Sequence, residues 1–326
     1  MIKSYFVAVL AATLLALDAP ALAQTAAQTF PRKTITIIIP ASPGGAIDFV
    51  ARLVGEKLTA AWGQPVVVDN KPGATGIIGT EVVSRAQPDG HTLALVASSH
   101  AINPSITKKL PFDTLKSFEP VVLTHIVPLM LVVAPTIPAK NLQELIAYAK
   151  ANPGTLTFAS SGVGGAPHMS GELFMSMAGL DMTHVPYKGS TLAHPDLRGG
   201  ITSMMFDTVA ALQPLLKAGA VRPLAVTTAK RSSVAADVPT MSEAGLPGYE
   251  TSTWGGVLAP ARTPKDVVAK LNAEINKALA ASDVQGKLTT AGIEIAGGTP
   301  QEFQDFIQSE MKKWAEVAQA AKITPE

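Results

Sequence analysis

Apolar and polar positions along this chain switch repeatedly between strand-like and helix-like spacing. ITIIIP at 35–40 is a continuous apolar run closed by proline, the pattern of a strand buried on both faces of a parallel sheet. DFVARLVGEKLTAAWG at 48–63 follows. It sets Val50, Leu53, Val54 and Leu58 on one helical face, with Gly63 as a natural stop. PVVVDN at 65–70 reads as the next strand, PGATGIIG at 72–79 as a turn opening a helix, and HTLALVAS at 91–98 as a third strand. This β-α-β-α-β order predicts a mostly parallel sheet with helices on both faces.

The pattern then repeats with new material. VPLMLVVAP (127–135) is a strand, LQELIAYAKANPG (142–154) a helix stopped by glycine, and LTFASS (156–161) a strand leading into a loop and a helix. THVPYKG (183–189) reads as strand and loop. SMMFDTV (203–209) and VRPLAVTT (221–228) read as strands on either side of the helix-like AALQPLLKAG. GYETSTWGGVLAP (248–260) is a long extended stretch, and a helical pair, PKDVVAKLNAEINKALAA and PQEFQDFIQSEMKKWAEVAQAAK, closes the chain. The expectation is an α/β protein of two lobes, residues 24–126 with 253–326 and residues 127–252. The chain would cross between them near 125–130 and 250–256, leaving a cleft of the kind that holds small ligands.

Composition narrows the classes. With 326 residues, 47% of them hydrophobic and 16% charged, the chain is long enough for two globular lobes. A net charge of +1 offers no field for nucleic acid or an acidic membrane. The absence of cysteine excludes disulfides, thiolate metal sites, a cysteine nucleophile and a lipid-anchoring cysteine. The six histidines (91, 100, 125, 168, 184 and 194) show no i, i+4 pair, so no zinc site and no metal is expected. Residues 1–23 read differently: Lys3 precedes an apolar run at Tyr5–Leu17, and Ala21-Leu22-Ala23 is a small-x-small cleavage pattern before Gln24. The run is too short to span a bilayer comfortably, so export through a cleaved signal is expected.

Two glycine loops carry the chemistry. IIIPASPGGAIDFVAR (37–52) and FASSGVGGAPHMSGELF (158–174) share one grammar: strand, small residues with Gly-Gly, helix. Glycine lets backbone N–H groups turn toward a ligand without a Cβ in the way. The first N–H groups of a helix are unpaired and partly positive. Two such loops facing across a cleft would hold an anion, and Ser160–Gly165 reads as a carboxylate cradle. Neither loop is a P-loop, and GVGGAP has Pro167 where a dinucleotide fingerprint places its third small residue. Bulk at either loop, as in Gly45→Val or Gly164→Val, is expected to cover the N–H groups and stop binding without unfolding the protein.

Other positions carry two readings each. Asp48 suits a ligand ammonium or, preferably, the first turn of its helix. His168 is a ligand donor or a packing residue. Ser98 and Ser99 close a strand at the cleft, as hydroxyls for a carboxylate or as a capped turn. Asp207 is a ligand or hinge residue or, preferably, a helix cap, and Lys188 in PYKGS is a ligand charge or a solvated one. No G-x-S-x-G occurs and no triad partner is identifiable beside Ser161 and His168, so no enzyme is expected.

Several stretches together resemble a family. PASPGGAIDFVAR, VVVDNKPGATGIIGTEVVSRAQPDGHTL, SSHAINPSI with KLPFDTLKSFEPV, FASSGVGGAPHMSGELF, VPYKGS, MFD, LAVTTAKRSSVAADVPTMSEAG and GGVLAPARTPKDVVAKLNAEI are similar, in order, to the Bug (TctC-like) extracytoplasmic solute receptors of tripartite tricarboxylate transporters. The resemblance implies a two-lobed periplasmic binding protein fold closing on a small carboxylate, with membrane transporter subunits as partners, no cofactor, and a monomer in the periplasm. A ligand-presenting sensor would use the same cleft. Ala41, Ser42, Pro43, Gly44, Gly45 and Asp48 match the family's first carboxylate loop, and Ser160, Ser161, Gly162, Gly164, Gly165 and His168 its second. Ala41 stands where the family often has an aromatic residue, which leaves room for a bulkier acid. TLAHPD (191–196) also departs from the family pattern, and Thr191, Leu192 and His194 are expected to alter that wall of the pocket.

Overall fold

The computed structural model describes residues 29–325, so the signal-type segment at 1–23 lies outside the described residues. Its elements, in chain order, begin with β1 (Ile35–Ile39), α1 (Ala46–Trp62), β2 (Val66–Asn70), α2 (Ile77–Ser84), β3 (Thr92–Ala97) and α3 (Ser99–Ile106). The long β4 (Phe118–Val133) leads to α4 (Leu142–Ala151), β5 (Thr157–Ser160), α5 (Ala166–Ala178), β6 (Thr183–Pro186), α6 (Ser190–Gly199), β7 (Met204–Thr208), α7 (Val209–Lys217) and β8 (Arg222–Val226). The chain returns through β9 (Ser252–Pro260), α8 (Lys265–Ala280), α9 (Ser282–Thr290), β10 (Glu294–Gly297) and α10 (Pro300–Ala320).

The strands run in the order β2-β1-β3-β9-β4-β7-β5-β6, with β8 and β10 also paired to β4. Strands that alternate with helices, β2-β1-β3 in one lobe and β7-β5-β6 in the other, pair in parallel. The connecting strands β4 and β9 are antiparallel to their neighbours. β4 joins the lobes: its last pair with β9 is Pro128 with Ser252, and from Leu129 onward it pairs with β7 instead. The second crossing is fastened beside it, where the Thr251 N–H donates to Thr227 O at 3.0 Å and the Thr227 hydroxyl to Thr251 O at 2.7 Å.

The apolar run of β1 is explained by its two buried faces. Ile35, Ile37 and Ile39 join one core under α1, α8 and α9, while Ile38 joins a second core under α2, α3 and α10. The other lobe has its own core, built from residues between Met130 and Tyr249. One helix bridges them: Met169 on α5 is fully buried within the first lobe's second core. Four elements were illegible in the pattern, the first of them α3, which starts at Ser99 where a strand end was expected. α9 and β10 replace an expected loop between the last two helices, and α6 forms across the departing TLAHPD segment despite Pro195.

Candidate functional site

Both glycine loops end in the expected helix starts. Gly45 is the N-cap of α1 and Gly165 that of α5, each with extended backbone and no side-chain cap. The first intrahelical donors are the N–H groups of Phe49, to Gly45 O at 3.0 Å, and Met169, to Gly165 O at 3.1 Å. The N–H groups before them have no i−4 partner by construction. Gly44 and Gly164 have φ of +91° and +77°, a conformation that a side chain would strain.

The loops line one cleft between the lobes, divided into two compartments that share Ser161, Pro167 and Thr253. The first encloses about 600 Å³. Ala41, Ser42, Ser98, Ser99, Ser161, Gly162, Gly165 and Lys188 line it, so three exposed or half-buried serines and a lysine meet the backbone of both loops. Lys188 makes no ion pair among the described residues. The second compartment encloses about 740 Å³ between the starts of α1, α6 and α7. Gly44, Gly45, Asp48 and Asp207 line it, together with apolar side chains.

Four expected contact residues do not line either compartment. Pro43 is exposed beside the first loop. Ser160 is fully buried. Its hydroxyl lies 2.7 Å from His184 Nε2 and accepts the Gly162 N–H at 3.1 Å, so it shapes the loop from behind. The buried Gly164 N–H donates to His168 Nδ1 at 3.3 Å, and His168 Nε2 faces Glu172 at 3.4 Å. His168 therefore splints the loop from inside α5. Burial and the neighbouring His168 push the His184 imidazole down to about 4, so it stays neutral beneath the loop, 4.1 Å from His168 between ring centres.

Two acidic residues are already engaged. Asp48 is buried, accepts the Gly44 N–H at 3.1 Å and is paired on both oxygens with Arg52. The Arg52 guanidinium, chiefly by hydrogen bonding, holds this carboxyl below its ordinary range. Asp207 accepts from His194 Nε2 at 2.9 Å and from the Thr208 N–H at 2.8 Å. Thr208, not Asp207, caps α7, its hydroxyl accepting the Ala211 N–H at 3.2 Å. The cap reading of Asp207 is corrected by one residue because the strand runs on through Thr208. Ser98 is buried with its hydroxyl 3.2 Å from that of Thr253, and α3 begins directly after it.

Sequence reasoning missed Thr253, Phe49, Arg52 and the turn at 72–76, all on the cleft wall. The turn had a signal in PGATG: Ala74 and Thr75 take φ of 46° and 51°, rare for residues with a Cβ and often associated with binding sites. Among the described residues no cluster of three or more possible metal ligands exists, and no helix is long and apolar enough to cross a membrane.

The structure is a two-lobed α/β frame with crossing strands and a cleft between the lobes. The chain belongs to the tripartite tricarboxylate transporter family receptors, whose family model matches residues 50–323. It is 42% identical over 286 residues to a UPF0065 protein of a Pseudomonas species, covering 87% of this chain and 85% of that one. A protein of R. palustris solved with adipate is 36% identical and superimposes with a TM-score of 0.80 over 91% of this chain and all (100%) of that one. MatC of Rhodopseudomonas palustris, solved with bound malate, is 34% identical with a TM-score of 0.76 over 88% of this chain and 99% of that one. The protein is thus a solute-binding receptor by family and by fold.

Proposed function

We propose that this protein captures a small organic carboxylate in the cleft and hands it to the membrane subunits of a tripartite tricarboxylate transporter, without chemistry of its own. The observation that carries this reading is the convergence along one cleft of two helix-starting loops, with the start of α5, the hydroxyls of Ser42, Ser99 and Ser161 and the unpaired Lys188 in the first compartment and the start of α1 in the second. Helix starts and hydroxyls suit an anion, and Lys188 adds a full charge at the rim. The adipate and malate bound by two relatives are carboxylates, which supports the same class here.

In this reading residues 1–23 direct export to the periplasm, and the mature chain acts as a monomer. Residues 24–126 with 253–326 form one moving body and 127–252 the other, turning about the crossings at 125–130 and 250–256. A thermal-shift screen of unfolded and refolded protein tests the ligand class. An acid at 100 times its Kd adds about 2.7 kcal/mol of stability. A rise in melting temperature with an acid and none with its amide supports the reading. Equal responses to acid and amide overturn it.

A further inference from the structure

One wall of the first compartment is a strained turn. Thr75 takes φ 51° and ψ 39° just before α2 opens, and Ala74 ahead of it takes φ 46°. A β-branched residue rarely adopts this left-handed backbone, because its Cβ crowds the neighbouring peptide. The fold holds it there nonetheless. The Gly76 N–H closes the turn on Gly73 O at 3.0 Å, and the buried Asn103 donates from Nδ2 to Thr75 O at 3.2 Å. For the shape of the turn alone, glycine would be the more stable residue. Threonine adds only a methyl group and a hydroxyl, at a position that lines the compartment. The methyl lies toward the second lobe, where a Cβ at Gly164 would sit 3.9 Å from Thr75 Cγ2. The residue is exposed, and its hydroxyl makes no hydrogen bond among the described residues.

Resting on the proposed carboxylate cleft, we infer that Thr75 is a specificity-determining ligand contact and that the turn at 72–76 is a third binding loop. The Thr75 hydroxyl donates to the bound carboxylate from the first lobe, while Ser161 and Lys188, which line the same compartment from the second, meet it from the other side. A hydroxyl carried on a fixed turn loses little freedom on binding, and a hydrogen bond to a charged oxygen is among the stronger ones. The backbone strain is thus held where it orients a ligand contact.

Calorimetric titration of the refolded protein with adipate, malate and benzoate, each beside its amide, tests this in the parent and three variants. Thr75→Val keeps the shape and removes the hydroxyl. It should weaken the acids that the parent binds by about tenfold or more, the worth of one hydrogen bond to a charged group, and should shrink their preference over the amides. Thr75→Ser keeps the hydroxyl and should bind nearly as the parent does. Thr75→Gly should melt no lower than the parent without ligand, because the turn is relieved, yet should bind as weakly as Thr75→Val. It carries the same comparison should Thr75→Val fail to fold. Undiminished acid binding by a variant lacking the hydroxyl, or Thr75→Ser binding no better than such a variant, overturns the inference while leaving the carboxylate cleft intact. Failure of the parent to bind any acid better than its amide overturns the cleft reading, and this inference with it.

Discussion

The two loop glycines separate at the level of single side chains. At Gly45 a Cβ would meet nothing within 4 Å, and the residue faces the cleft in extended backbone. Gly45→Val should therefore lower ligand affinity at least tenfold, measured by calorimetry, while the unliganded melting temperature moves little. At Gly164 a Cβ would overlap Ile106 Cδ1 and would sit at positive φ, and the N–H already serves His168. Gly164→Val should thus cost stability, about 1–3 kcal/mol in denaturant melts, which corrects the expectation that both variants act only by covering N–H groups. His100 gives a pH signature. Burial pushes its imidazole from 6.5 down to about 4, with Nε2 against Thr114 O at 3.2 Å. The folded state keeps it neutral, whereas the unfolded chain takes up a proton below about pH 6.5. Its contribution is complete above that pH and is lost as pH falls toward 4, by ~3 kcal/mol at ~1.36 kcal/mol per pH unit. His100→Gln should lessen that slope without abolishing it, since the buried His125 and His184 are also pushed down, to about 3 and about 4; an unchanged slope between pH 6.5 and 4 would refute the assignment.

Among elements, α10 ties the ends of the first lobe together. Thr299 and Glu302 form a capping box at its start. Further along, the buried Glu310 accepts from the indole N–H groups of Trp254 on β9 and Trp314 on α10, both at 3.0 Å, and is paired with Lys313. Glu310→Ala leaves two buried donors unsatisfied, and each such group costs about 1–3 kcal/mol. A loss of about 2–5 kcal/mol in urea unfolding is expected, with Glu310→Gln milder because it keeps an acceptor. β1, α1 and the start of α5 were legible because each depends on local spacing: two-sided burial, a four-residue apolar stripe stopped by Gly63 in the left-handed conformation, and a glycine loop; the glycine stop expected at Gly154 comes earlier, α4 ending at Ala151 with Asn152 as its cap. α6 was not legible, because Pro195 argues against a helix locally, while buried Ala193 and Leu197 anchor it to the second lobe's core.

For the whole molecule, the bridge at α5 matters most. Met169 belongs by sequence to the second lobe and by packing to the first. Met169→Ala should cost about 2–5 kcal/mol, in line with large-to-small core changes. It should also loosen the coupling between lobes, visible as a broader or split urea transition where the parent protein shows one. A single transition of unchanged width and midpoint would mean that this contact does not join the lobes.

What the sequence determined by itself was the alternation of strands and helices, the two glycine loops and the family, because each is written in local spacing and short motifs. Only the tertiary structure decided which loop atoms face the cleft. Ser160, Gly164 and His168 lie in the signature loop yet are consumed by His184, Glu172 and each other. Thr253, Phe49 and Arg52 were not singled out by the pattern yet line the wall. The physical reason is that a cleft between two lobes is assembled from segments far apart in the chain. Whether a hydroxyl or an N–H remains available there depends on which neighbour bonds it first, and that neighbour is chosen by packing.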